Sequence, residues 1–571
     1  MDALDEARKV ASAAPKRARI AKSVAKPKVR ATQPKPPPKT AVIMVHGMGE
    51  QRPLETIRSF VESVYQHDTS LASTDTDDDN MLRIAIVPDG TTGSGELRRL
   101  TTLNDGPAKR TDFFELYWAD IMDGTPVEMV TSWIDGLLLR SPWRVPAHAR
   151  VYLAWLMLWG LALIVVFAAI ATAYPQVANL LGPVDRVLDW LTLHHIVVGQ
   201  VAYVVGAAYL TVLIVKGVRG GQQKLETTPL FLPAVLLAGG LVLSLWPAKQ
   251  AISGHLLAAA VTAGVGSFMH FLVAPYLGDV VRYVRATPST VERRRLIRER
   301  GLALLEAIHE KRADSTDNQD FVRAATDDPP AYDRIVLVAH SLGTYVAYDI
   351  LQMFWEKYGP THHQQWHPEV PSVQAALADV DAFVKKEWVA DPAESYPLAD
   401  YLAAQANLRQ ELFQAAPQWR ITDLITLGSP LVHAEFLATD GTADLEQGFV
   451  QRRFAACPPR PDPTQGSMLY PTVTDGPKYP HFAAHFAAVK WTNICDESVV
   501  PFLGDLVSGR LRPIFGNGID EHNVTIKRPG RIWPLNRVFT HTEYWTWEDS
   551  YKHGNLPEHL DLLRKALKIG T

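Results

Sequence analysis

Residues 333–351 read DRIVLVAHSLGTYVAYDIL. The apolar, β-branched run at 335–338 predicts a buried strand, and the spacing of Tyr345, Tyr348 and Leu351 predicts a helix. Between them stands Ser341, with the small residues Ala339 and Gly343 two positions to either side. A serine at a sharp strand-to-helix corner presents its hydroxyl as a nucleophile, and small flanking residues let neighbouring backbone pass close by. The following helix N-terminus puts partial positive charge where an oxyanion would form. The competing use of Ser341 is a plain helix N-cap. A second loop, His46-Gly47-Met48-Gly49-Glu50-Gln51, follows the apolar run 40–46, and its glycines allow backbone amides to turn toward a neighbouring site.

The elements that must hold these loops come from the rest of the chain. With 571 residues, 47% hydrophobic and 21% charged, it can bury more than one core, and its net charge of −4 gives no overall basic signal for nucleic acid. Two cysteines, Cys457 and Cys495, are too few for a disulfide framework and suit burial. Residues 1–39 are rich in Ala, Pro, Lys and Arg, and predict a disordered basic arm that either touches anionic headgroups or is merely solvated. Strand patterns stand at 40–46, 82–87, 113–118, 335–338, 419–427 and 488–494, with helical patterns at 54–65, 290–311 and 557–568. Residues 364–413 read as a polar, partly helical insertion. Strands alternating with helices predict an α/β class with a mostly parallel sheet.

The chain changes character after residue 145. Residues 151–174 carry no charge over a length sufficient for about 30 Å of hydrocarbon, and 196–215, 229–246 and 251–276 repeat the signal. These four runs predict an all-α transmembrane segment interrupting the sheet. Lys and Arg crowd both flanks, which predicts a multi-pass integral membrane protein with both termini and the catalytic domain cytoplasmic. An even number of spans would also keep the strands at 40–46 and 335–338 on one side. The expected organisation is therefore an arm at 1–39, the first part of the α/β domain at 40–145, the membrane region at 146–278 and the second part at 279–571. The helix at 290–311 begins with an arginine cluster, which predicts either contact with lipid headgroups or an ordinary surface helix.

Taken together, His46-Gly47 after a strand, Ser341 in its corner, an acid after a later strand and a late histidine resemble the α/β-hydrolase fold, in particular its lipase and esterase branch. The resemblance covers roughly 40–118 and 333–571 and departs from the usual G-x-S-x-G only at Ala339. It implies a triad in the order Ser, acid, His. Ser341 would be the nucleophile and His541, in His541-Thr542-Glu543-Tyr544-Trp545, the general base, with His553 next in line. Asp496, directly after the strand at 488–494, is favoured as the orienting acid, with Glu497 its alternative and Asp505 further off. The oxyanion hole would use the N–H groups of Met48 and Leu342, with His46 and Gly47 shaping the loop. Gly428-Ser429-Pro430 would help wall the pocket, and Ser429 is a poor rival nucleophile because Pro430, directly after it, has no N–H to donate to an oxyanion.

Other clusters are weaker. His362, His363 and His367 lack nearby carboxylate or cysteine partners, so no metal is expected. His481 and His485 lack the glutamate of H-E-x-x-H and read as surface or packing residues. His255 and His270, inside the last apolar run, suit neutral interhelical hydrogen bonding. No phosphate-cradling or dinucleotide loop is present, so no cofactor is expected. The expected function is a membrane-anchored serine hydrolase cleaving a carboxylic ester or thioester, with membrane lipids as surroundings and a lipid or acylated molecule as substrate. A catalytically silent scaffold, or an acyltransferase using the same residues, is the alternative; a transporter is disfavoured because the apolar runs show no internal repeat. Oligomeric state is not legible.

Overall fold

The computed structural model describes most of residues 39–122 and 280–569, with a few scattered positions between 155 and 204. Its centre is an eight-stranded sheet. In chain order the strands are β1 (Lys39–Val45), β2 (Ile84–Pro88), β3 (Arg98–Thr102), β4 (Arg110–Leu116), β5 (Arg334–His340), β6 (Ile421–Leu427), β9 (Lys490–Cys495) and β10 (Asp520–Asn523). β7 (Leu469–Pro471) and β8 (Lys478–Pro480) form a separate antiparallel pair. The spatial order is β10-β9-β6-β5-β1-β4-β3-β2. From β10 to β4 every pairing is parallel, whereas β3 runs antiparallel to both β4 and β2 at one edge.

Buried parallel strands need apolar side chains on both faces, and alternation along them assigns each residue to a layer. Ala41, Ile43, Val45, Ile335, Leu337 and Ala339 join one core, while Val42, Met44, Val336 and Val338 join the other. Against the first face pack α2 (Val291–Glu310), α3 (Gly343–Tyr358), α4 (Pro371–Trp388) and α5 (Leu398–Gln414). Against the second pack α1 (Glu55–Val61), through Ile57, Phe60 and Val61, and α6 (Glu558–Leu567), through Leu560, Leu563 and Leu567. The result is a three-layer α/β/α arrangement with β5 near its middle.

No helix among the described residues is long and apolar enough to cross a membrane, which overturns the expectation of an all-α segment of four transmembrane helices. The runs 151–174, 196–215, 229–246 and 251–276 lie almost wholly outside the described residues. An uncharged composition is only half of what a span requires. The other half is one continuous helix that satisfies its own backbone, and no such helix is among those described. The arm at 1–39 also lies outside the described residues, apart from Lys39.

The arginines of α2 face protein carboxylates. Arg298 donates to Asp349 of α3 at 2.6 Å, and Arg300 donates to Asp120 at 2.6 and 3.0 Å. On its other side Ile297, Leu304, Leu305 and Ile308 enter the core.

Candidate active site

Ser341 sits at the junction of β5 and α3 with φ of 54°, a left-handed conformation that a side chain bearing a Cβ rarely adopts. Such a residue persists only where its surroundings overdetermine it. Here the Ser341 N–H donates to the Leu427 carbonyl at 3.0 Å, and the Ser341 carbonyl accepts from Thr344 Oγ1 at 2.7 Å and from the Thr344 N–H at 3.0 Å. A Cβ at Gly343 would overlap the carbonyl oxygens of Val45 and His46, so only glycine lets α3 start this close to the end of β1. Leu342 begins the helical backbone, and its N–H is among those a helix leaves without an intrahelical partner.

The Ser341 hydroxyl donates to His541 Nε2 at 2.8 Å. On the other side of the imidazole, Nδ1–H donates to Asp505 Oδ2 at 2.9 Å. Asp505 is fully buried, and the same oxygen accepts from the Tyr544 hydroxyl at 2.8 Å. Burial alone would raise this carboxyl's pKa, but the charge of His541 and hydrogen bonds from His541, Ser508 and Tyr544 outweigh it and hold it well below the usual carboxylate range. A dry, ionised carboxylate therefore stands behind the imidazole.

The acid against His541 is Asp505 rather than Asp496 or Glu497. Asp496 is buried and engaged elsewhere: Arg537 holds it with two hydrogen bonds of 2.8 Å, and Thr540 Oγ1 adds a third at 2.6 Å. Glu497 faces Arg510, whose N–H it accepts at 3.3 Å. The reason lies in the turn after β9. Gly504, at φ of 77°, folds the chain back so that the Asp505 N–H donates to the Asp496 carbonyl at 2.9 Å. Asp496 thereby anchors the loop that delivers Asp505, and through Arg537 and Thr540 the loop that delivers His541.

The His46 loop lies on the opposite side of the nucleophile. A Cβ at Gly47 would stand 2.8 Å from Ser341 Cβ and 3.4 Å from its Oγ, so the Gly47 backbone passes close against the nucleophile's side chain. His46 stacks on Trp118 with centroids 5.0 Å apart and rings 6° from parallel. Its Nε2 accepts from the Trp118 N–H at 3.1 Å, and its Nδ1–H donates to the Gly47 carbonyl at 2.8 Å. Desolvation lowers the His46 pKa to about 4, so it is a neutral brace for the loop. Met48 follows, packed on the core edge; Gly49, Glu50 and Gln51 lie outside the described residues.

Ser429 is buried, accepts from the Leu431 N–H at 3.3 Å and meets Thr344 Oγ1 at 2.8 Å, so both its hydrogen-bonding roles are occupied in structure. Gly428, at φ of 60°, passes so close that a Cβ would lie 3.1 Å from both Asp505 Oδ2 and His541 Cε1. Of the remaining histidines, His481 donates Nε2–H to the Arg460 carbonyl and His485 packs on Phe486, both buried. His362, His363, His367, His255 and His270 lie outside the described residues, as does the side chain of His553.

No protein-family model matches the chain, and neither the curated proteins nor the solved structures yield a match. The site is thus read from its own geometry. Sequence reasoning ranked Asp505 behind Asp496 and Glu497, and it singled out neither Tyr544, nor the Arg537–Thr540 anchor, nor His340. That buried imidazole donates Nε2–H to the His541 carbonyl at 2.8 Å and has its pKa lowered to about 3, first by desolvation and then by the His541 charge. The one sequence signal for Asp505 was Gly504 immediately before it, a turn-forming pair in a loop after a strand.

Proposed function

We propose that this protein is a serine hydrolase of the α/β-hydrolase kind that cleaves a carboxylic ester or thioester through an acyl-enzyme. The observation that carries the reading is the unbroken relay from Ser341 Oγ through His541 to Asp505 at 2.8 and 2.9 Å, on a corner whose nucleophile has a left-handed backbone. A strained, buried serine hydrogen-bonded to an imidazole nitrogen has little purpose as a helix cap, because Oγ meets the imidazole and caps no amide of its own helix.

In this mechanism Ser341 Oγ attacks the carbonyl carbon while its proton passes to His541 Nε2. The Nδ1–H stays on the imidazole, and ionised Asp505 stabilises the imidazolium and holds its orientation. The carbonyl oxygen becomes an oxyanion between the N–H of Leu342, at the start of α3, and that of Met48, beyond the Gly47 approach. Collapse breaks the ester or thioester bond. His541 returns the proton to the departing alcohol or thiol, and the acyl group remains on Ser341. Water then attacks the acyl carbon as His541 takes its proton, releasing a carboxylic acid and restoring the hydroxyl. An alcohol in place of water would make the same residues an acyltransferase.

The test is pre-steady-state hydrolysis of a p-nitrophenyl butyrate substrate. The proposal expects a burst of p-nitrophenol matching the enzyme concentration, absent in Ser341→Ala. Turnover that persists in Ser341→Ala would assign the activity elsewhere and overturn it.

A further inference from the structure

The segment that delivers His541 also carries the two most exposed large apolar side chains among the described residues, Ile532 and Trp533, with two more beside them. Ile532 is 78% exposed, Trp533 74%, Leu535 57% and Phe539 55%. Folding does not account for them, since none is in a core. Their backbone is nonetheless ordered by its own hydrogen bonds. The Arg528 N–H donates to the Asn536 carbonyl at 2.7 Å, the Asn536 N–H donates to the Ile532 carbonyl at 3.0 Å, and the Arg537 N–H donates to the Pro534 carbonyl at 2.9 Å. Residues 528–537 therefore form a closed finger with an apolar tip. Its neck is fixed on the catalytic loops: Val538 bridges Leu503 and Gly504, Arg537 grips Asp496, and the Thr540 N–H donates to the Gly504 carbonyl at 3.2 Å. The finger emerges between the loop of Asp505 and that of His541.

Its charge names the occupant. Residues 524–540 contain Lys527, Arg528, Arg531 and Arg537 and no Asp or Glu. Arg528 and Arg537 are held by Glu543 and Asp496, while Lys527 and Arg531 are exposed beside the tip. Large apolar and aromatic side chains with two exposed cations beside them, on a segment that itself carries no carboxylate, match a lipid–water boundary bearing anionic headgroups. We propose that this finger docks the protein peripherally on an anionic lipid surface, with the tryptophan and aliphatic tip in the headgroup boundary and Lys527 and Arg531 at the phosphates. Resting on the hydrolase reading, it follows that the substrate class is an acyl ester presented at that surface, next to Ser341.

The test uses the full-length chain with Trp533→Cys labelled by an environment-sensitive nitrobenzoxadiazole maleimide; Cys457 and Cys495 are both buried. The label needs no turnover, so its result is separate from whether Ser341 reacts. Phosphatidylcholine vesicles containing phosphatidylglycerol should shift its emission to the blue, and phosphatidylcholine alone should do so far less. Charge reversal by Lys527→Glu with Arg531→Glu should raise the anionic lipid needed for half the response at least about tenfold. An unchanged spectrum with both vesicles would overturn the proposal. So would an equal response to both, which removes the anionic requirement, or a blue-shifted label before lipid is added in protein that sediments as a dimer, which means a second copy covers the finger.

Discussion

At the scale of the residue, the choice between Asp496 and Asp505 turns on what each carboxylate already holds. Asp496 is bound by Arg537 and Thr540, while Asp505 faces the His541 imidazole. Asp505→Asn keeps the shape but presents an amide where the imidazole N–H must be accepted, and kcat should fall roughly 10⁴-fold with little change in KM. Asp496→Asn should instead leave Arg537 buried without its counter-charge and destabilise the fold by about 3–5 kcal/mol. Thermal melts and steady-state kinetics on the two variants separate these roles. Gly47→Ala should lower kcat about 100-fold without a comparable loss of melting temperature, because the new methyl displaces either the oxyanion loop or the nucleophile by a fraction of an ångström or more. Ser341 and His541 were legible because a strand–serine–helix pattern and a late histidine carry their own order. Asp505 was ranked last of the three acids, because position after a strand cannot reveal that the first acid is taken by an arginine 41 residues away.

At the scale of the element, β4 and α1 share a buried carboxyl. The Leu54 N–H at the start of α1 donates to Glu115 Oε2 at 2.7 Å, and burial raises the Glu115 pKa to about 7. A folded pKa above the unfolded one means that the folded state holds the proton more tightly. Glu115's contribution is therefore complete below about pH 4.5 and is lost as pH rises through about 7, by no more than about 3 kcal/mol. Glu115→Gln should flatten that part of the stability–pH curve, measured by urea unfolding between pH 5 and 8. β1, β2, β4, β5, β6 and β9 were readable as strands because each carries a run of apolar or β-branched residues. β10 (DEHN) and β3 (RRLTT) lacked that signature. β10 lies at the sheet's edge, where charged side chains reach solvent and discourage further pairing. The antiparallel pairing of β2 with β3 was not legible because β3 itself was not.

At the scale of the whole molecule, the sheet places β1 beside β5 although nearly three hundred residues separate them, and the site exists only where their C-terminal ends meet. The uncharged runs between them invited a membrane reading because composition is legible and a continuous helix is not. Five buried histidines set the acid limit of the fold. Desolvation lowers His46, His481 and His559 to about 4, and His340 and His485 to about 3. With folded pKa values below the unfolded value, their stabilisation is present above about pH 6.5 and declines as pH falls below it, because the unfolded chain takes up the protons first. Melting temperature should fall steadily from pH 6.5 toward 4, opposite in sign to the Glu115 effect.

The central claim, that Ser341 is an activated nucleophile, is tested most directly by treating the intact protein with a fluorophosphonate and locating the adduct by peptide mass spectrometry. The account predicts one equivalent of label on the peptide containing Ser341, lost in Ser341→Ala and slowed in Asp505→Asn. No adduct on folded protein, or labelling that survives Ser341→Ala, would contradict it.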